Sequence, residues 1–164
     1  MIEVRRATQA DMHHMFIVSV AAHIENYRGL IPRYRQEDFA RRYSIAKQNE
    51  EKFINRIQSH FGNINYLVVV AVEAGRVVGY CIATRQAEKR LTDLFVLPQR
   101  QQQGIGQMLM TKALEWLGEA PVYLTVLEEN LTAIQFYARS GFAITTQTPK
   151  LFYGAKQVIM SRNY

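Results

Sequence analysis

The chain has 164 residues, 48% of them apolar, and a formal charge of +6 at neutral pH. Such a composition fits a single domain, 1–164, with a sizeable core, and excludes a disordered chain. No apolar run approaches the ~18 residues of a membrane span. The basic residues are interrupted by acids and form no tail or zinc-finger spacing, so neither nucleic acid nor membrane is an expected partner.

The opening "MIEVRRATQADM" reads as neither a signal peptide nor a clean transit peptide. "IEVRR" alternates as a short strand, and Thr8 with Asp11 three residues on predicts a helix start of capping-box type. Met12, Met15, Phe16 and Val20 then recur at helical spacing, which makes the methionines core residues. "NYRGLIPRY" breaks that helix with Gly and Pro, and a more polar helix, with room for an interruption, is expected from Gln36 to Phe61.

The period then changes. "NYLVVVAVEAGRVVGYCIAT" predicts two strands joined by a tight turn at "EAGR". Cys81 lies in the second of them; as the only cysteine it cannot form an intramolecular disulfide, and a buried inert thiol in a reducing cytoplasm is the favoured reading. A further strand, about Arg90 to Leu97, stops at Pro98, and helical spacing returns at Ile105, Leu109, Ala113 and Leu117. "PVYLTVL" predicts a strand. "NLTAIQFYARSG" predicts a compact helix capped by Asn130 and ended by Gly141, and two strands around a turn close the chain. Strand–helix–strand portions mixed with hairpins imply a mixed α/β sheet with helices on its faces.

Two stretches carry chemistry. In "FVLPQRQQQGIGQMLM" a strand turns through two glycines into a helix. Unpaired N–H groups and the helix dipole make such a terminus an anion cup, and glycine lets a phosphate come close. Gly104 and Gly106 are the candidates for close approach, the N–H groups of Gln102, Gln103, Gly104, Ile105 and Gly106 are the donors, and Arg100 or a glutamine could add rim contacts. A Walker A loop is excluded, since Gln107 and Met108 stand where Lys-Ser/Thr is needed. A dinucleotide fingerprint is excluded too, because position 109 is Leu. A plain turn into a helix remains open at this stage. In "NLTAIQFYARSGF", Asn130 and Tyr137 lie almost two turns apart on one side of a helix, as a cap and a packed ring or as two contacts along an elongated ligand.

Together these stretches resemble the GNAT superfamily of N-acetyltransferases. Gln101-x-x-Gly104-x-Gly106, with Val-x-Pro before it, fits that family's Gln/Arg-x-x-Gly-x-Gly/Ala pattern. Asn130, Ala133, Tyr137, Gly141 and Phe142 fit its later Asn-x-x-Ala-x-x-x-Tyr…Gly-Phe segment. Element order agrees over nearly the whole chain, although residues 23–61 match only loosely. The resemblance implies a partly splayed central sheet of six to seven strands flanked by about four helices, with acetyl-CoA as cofactor. It places pyrophosphate on the N–H groups from Gln102 to Gly106 and the pantetheine arm along Leu94, Phe95 and Val96, with Asn130 assisting. Tyr137 becomes the proton donor to the departing thiolate. A neutral primary amine of a small molecule, amino acid or peptide would attack the thioester directly, with no protein nucleophile.

Asp93, on the same strand, is the candidate base, against the alternative of a salt-bridged carboxylate; His23 and Glu25 stand in reserve. Alternation puts Leu91, Asp93 and Phe95 on one face of that strand and Thr92, Leu94 and Val96 on the other. By analogy, Tyr27, Arg28, Tyr34 and Tyr153 are the acceptor-side candidates. A polyamine acceptor and a catalytically weak acyl-CoA sensor are the alternatives, and an edge strand leaves a homodimer open. The four histidines lack metal-site spacing, so no metal is expected.

Overall fold

The computed structural model describes residues 1–119 and 121–163. Strand β1 (Ile2–Arg6) leads into helix α1 (Met12–Tyr27), and helices α2 (Gln36–Arg42) and α3 (Lys47–Gln58) follow. Strands β2 (Tyr66–Glu73), β3 (Arg76–Thr84) and β4 (Arg90–Val96) precede helix α4 (Ile105–Leu117) and strand β5 (Val122–Leu127). Helix α5 (Leu131–Ala138) and strands β6 (Ala143–Phe152) and β7 (Ala155–Arg162) complete the order. The seven strands form one mixed sheet, β1-β2-β3-β4-β5-β7-β6.

The expected helix from Gln36 to Phe61 is two helices, which brings the described α-helices to five. The break is stitched by buried Asn49, whose amide donates to the Arg41 carbonyl at 2.9 Å and the Ser44 carbonyl at 3.2 Å. At the start of α1, the Asp11 carboxylate accepts from the Thr8 N–H at 2.7 Å and from both terminal nitrogens of Arg5. Burial alone would raise the Asp11 pKa, but these donors outweigh it and hold it below the usual carboxylate value.

The unbroken apolar run of β2 reflects burial on both faces. Leu67, Val69 and Ala71 face the core under α4, whereas Val68, Val70 and Val72 face the core under α1 and α3. At the β2–β3 turn both central residues are left-handed, Ala74 at φ 48° as well as Gly75 at φ 75°.

Two irregularities shape the site. β4 and β5 are in parallel register only at Arg90 and Tyr123, so beyond that bridge the strands diverge. Within β4 the pairing to β3 skips a residue: Leu91 pairs with Ala83 and Asp93 with Ile82, leaving Thr92 as a bulge. The bulge corrects the simple alternation expected for this strand. Leu91 packs into the α4-side core with Val96, while Phe95 packs on the α1 side.

Candidate active site

The loop from β4 to α4 is built from backbone. Pro98–Arg100 forms a short 3-10 turn, Gln101 is extended, and Gln102 (φ 60°) and Gly104 (φ 82°) are both left-handed. After Gln101, whose N–H reaches the Pro98 carbonyl, Met108 is the next residue to close back on the loop, its N–H reaching the Gly104 carbonyl at 3.0 Å. The N–H groups from Gln102 to Gln107 have no helical turn behind them to satisfy them.

The two glycines do different work. A Cβ at Gly104 would meet no atom within 4 Å, so the front of the loop is open to a ligand and the glycine is needed for its φ. At Gly106 a Cβ would lie 3.3 Å from the Phe136 ring, so this glycine lets α4 and α5 pack closely.

Two of the glutamine side chains turn back onto the backbone before them. Gln101 donates to the Val96 carbonyl at 3.1 Å, and Gln103 to the Gln99 carbonyl at 3.3 Å. Arg100, a candidate rim contact, is ion-paired with Glu73 at the end of β2. Leu94, Phe95 and Val96 lie on β4 past the Arg90–Tyr123 bridge, where the strand has left β5. At the start of α5 the Asn130 side chain accepts from the Ala133 N–H at 3.2 Å and caps the helix. Tyr137, on the same helix, packs edge-on against Phe136 and Phe142. Burial drives the pKa of its phenol far above the ordinary value, so the group stays protonated.

On the α1 side of β4 lies a cavity of about 340 Å³. Its walls are aromatic: His23 stacks on Tyr43 with ring centroids 4.0 Å apart and leans on Phe95 at 4.5 Å, and Tyr43 stands 6.1 Å from Phe152. Asp93 lines it, with its two oxygens taken by Arg56 at 3.2 and 2.9 Å and the Tyr80 hydroxyl at 3.5 Å. Desolvation opposes the charge on Arg56, but the adjacent carboxylate outweighs it and raises the guanidinium pKa.

His23 is buried, and its Nδ1 lies 2.7 Å from the Ser19 carbonyl, which can only accept. Nδ1 therefore carries the proton and Nε2 the lone pair. Burial lowers the His23 pKa to about 4, so the ring is neutral at pH 7. Burial pushes the Tyr43 phenol up to about 12.

Of the four acceptor-side candidates, only Tyr27 lines this cavity. Arg28 is exposed, and its carbonyl accepts from Gln36. Tyr34 is 75% exposed beside Gly154. Tyr153 packs behind the wall on Phe39 and Tyr43. Sequence reasoning did not find Arg42, Tyr43, Arg56 or Phe152. "RRY" at 41–43 was visible only as scattered charge, and the Arg56–Asp93 pair spans 37 positions with no local signal.

Residues 24–142 match the model of the acetyltransferase (GNAT) family. An uncharacterized N-acetyltransferase of Archaeoglobus fulgidus is 31% identical over 148 residues, covering 84% of this chain and 90% of that protein. One from Mycobacterium tuberculosis is 35% identical over 121 residues, 66% of this chain and 77% of that protein. The fold superposes with a TM-score of 0.82 on the PaiA N-acetyltransferase of Thermoplasma acidophilum, solved in complex with coenzyme A; the sequences are 22% identical, with 100% of this chain and 99% of that chain covered.

Proposed function

Because the chain belongs to the acetyltransferase (GNAT) family, we propose that it is an acetyl-CoA-dependent N-acetyltransferase acting on a primary amine by direct attack within a ternary complex. The observation that carries this reading is the opening of β4 away from β5, with an N–H cup at one end and a lined cavity on the α1 side.

Bound in that slot, acetyl-CoA would supply a thioester carbonyl as the electrophile. The N–H groups from Gln102 to Gly106 would hold the pyrophosphate, and the free edge of β4 at Leu94, Phe95 and Val96 would pair with the pantetheine amides. Asn130 would steady the same arm with its amide N–H₂, since its oxygen is spent on the cap. Tyr137 would give its phenolic proton to sulfur as the C–S bond breaks and the C–N bond forms. The acceptor nitrogen's proton has two lining acceptors, Asp93 and His23. Asp93 would take it, its carboxylate held in place by the two bonds from Arg56, and His23, whose protonation burial opposes, stands in reserve.

An acceptor screen with acetyl-CoA tests the reading, following thiol release and a product heavier by one acetyl group. Release matched by product supports it. Coenzyme A binding without transfer across a broad amine panel would indicate a sensor instead, and failure to bind coenzyme A would defeat the proposal altogether.

A further inference from the structure

The charge in the acceptor cavity is unevenly balanced. Three formally charged side chains line it: Arg42, Arg56 and Asp93. Arg56 and Asp93 neutralise one another through two hydrogen bonds. Arg42 has no acidic partner among the described residues; its guanidinium carbon sits 5.3 Å from the centroid of the Tyr43 ring, at the wall of the cavity. The lining thus carries one uncompensated positive charge, beside rings that offer their faces and edges to a ligand.

We propose that the acceptor is a small aromatic amine bearing a carboxylate, of the free aromatic amino acid class, and that Arg42 determines specificity by binding the acid group. This rests on the acetyltransferase reading of the same site. An aryl side chain would join the cluster of His23, Tyr43, Phe95 and Phe152, where offset and edge contacts are already the rule. A carboxylate would supply Arg42 with the partner it lacks, in a geometry suited to paired N–H donors. The volume of about 340 Å³ lies at the small end of ligand pockets and suits one such molecule.

Aromatic walls also attract alkylammonium groups, so the charge decides against a polyamine. Its second ammonium would face Arg42 with no free carboxylate to offset the repulsion. Two like charges about 6 Å apart at an effective dielectric of about 20 cost roughly a hundredfold in affinity.

The test uses the full chain with phenylalanine, phenylalaninamide, phenethylamine and spermidine as acceptors, in wild type, Arg42→Gln and Arg42→Lys. Expected is a kcat/KM for phenylalanine about tenfold or more above that for phenethylamine, with the ratio collapsing towards one in Arg42→Gln through KM. Arg42→Lys should recover part of the preference. Calorimetric titration of phenylalanine into the protein without acetyl-CoA gives a second readout, and Arg42→Gln should weaken that binding about tenfold. Preference of the wild type for phenethylamine or spermidine would overturn the inference while leaving the transferase reading intact. So would an Arg42→Gln variant that loses activity equally towards all acceptors. If none of the four is acetylated, this inference falls; the transferase reading falls with it only if the broad amine panel is also left unacetylated.

Discussion

The two halves of the proposed site are made in different ways. The cofactor half is largely backbone: a strand edge, a run of N–H groups and two glycines, drawn from β4, the loop after it and α4, with α5 alongside. The acceptor half is side chain throughout, converging from α1, α2, α3, β4, β5 and the last hairpin. A backbone cup is indifferent to most side-chain substitutions and recognises a group common to every reaction of its kind. A cavity of convergent side chains can be altered one residue at a time, so specificity would reside there.

The sharpest test of that division is Tyr137→Phe, which removes one hydroxyl from the cofactor half without touching the cup. Turnover should fall by about 100-fold or more, with the KM for acetyl-CoA within a few-fold of wild type. A comparable loss in cofactor affinity would place Tyr137 among the binding groups instead.

The acceptor half should also be the acid-sensitive one. His23 is held neutral, with a folded pKa of about 4 against the ordinary 6.5. Between those values the unfolded chain binds the extra proton, so this contribution to stability is complete above about 6.5 and is lost as pH falls towards 4. The loss is on the order of 3 kcal/mol. Denaturant titrations of wild type and His23→Gln across this range should differ in slope, the variant being flatter. Parallel slopes would show that His23 does not titrate as a buried neutral ring.

Within the cofactor half, a glycine should matter more than a glutamine. Gly104→Val forces a β-branched residue to φ 82°, at about 1–3 kcal/mol, and should weaken coenzyme A binding by about tenfold or more as the loop relaxes. Gln103→Ala removes one exposed side-chain hydrogen bond and should change that affinity less than about twofold. The reverse ranking would make this half a side-chain site after all. As a control outside both halves, Ala74→Asn relieves a left-handed alanine in the β2–β3 turn and should add about 0.5 kcal/mol to stability with both KM values unchanged.

The same contrast governs what could be read in the sequence. The cup, the β2–β3 hairpin and the α5 cap are local, because their residues are neighbours and their chemistry shows in short spacings. The cavity is assembled by tertiary contact, so Arg56 gives no hint of Asp93, and Tyr43 gives none of His23. Where local reasoning failed within a legible element, an added residue was the cause: Thr92 shifts the phase of β4, which no two-residue alternation can anticipate. The break between α2 and α3 was allowed for, but its position depends on where the Asn49 amide finds its carbonyls. Gly106 was read from its spacing as a place for close approach of a phosphate, and Phe136 supplies a packing reason that the glycine pattern alone does not reveal.

The single bridge between Arg90 and Tyr123 has a mechanical consequence. On one side of it lies a four-stranded sheet, β1 to β4; on the other lies a three-stranded one, β5, β7 and β6. An extended ligand whose amides pair with β4 would act there as a substitute strand, turning an open seam into a continuous span. Amide hydrogen exchange along β4 should therefore slow on coenzyme A binding, while exchange in the already paired β2 changes little. The molecule would borrow part of its rigidity from the compound it consumes.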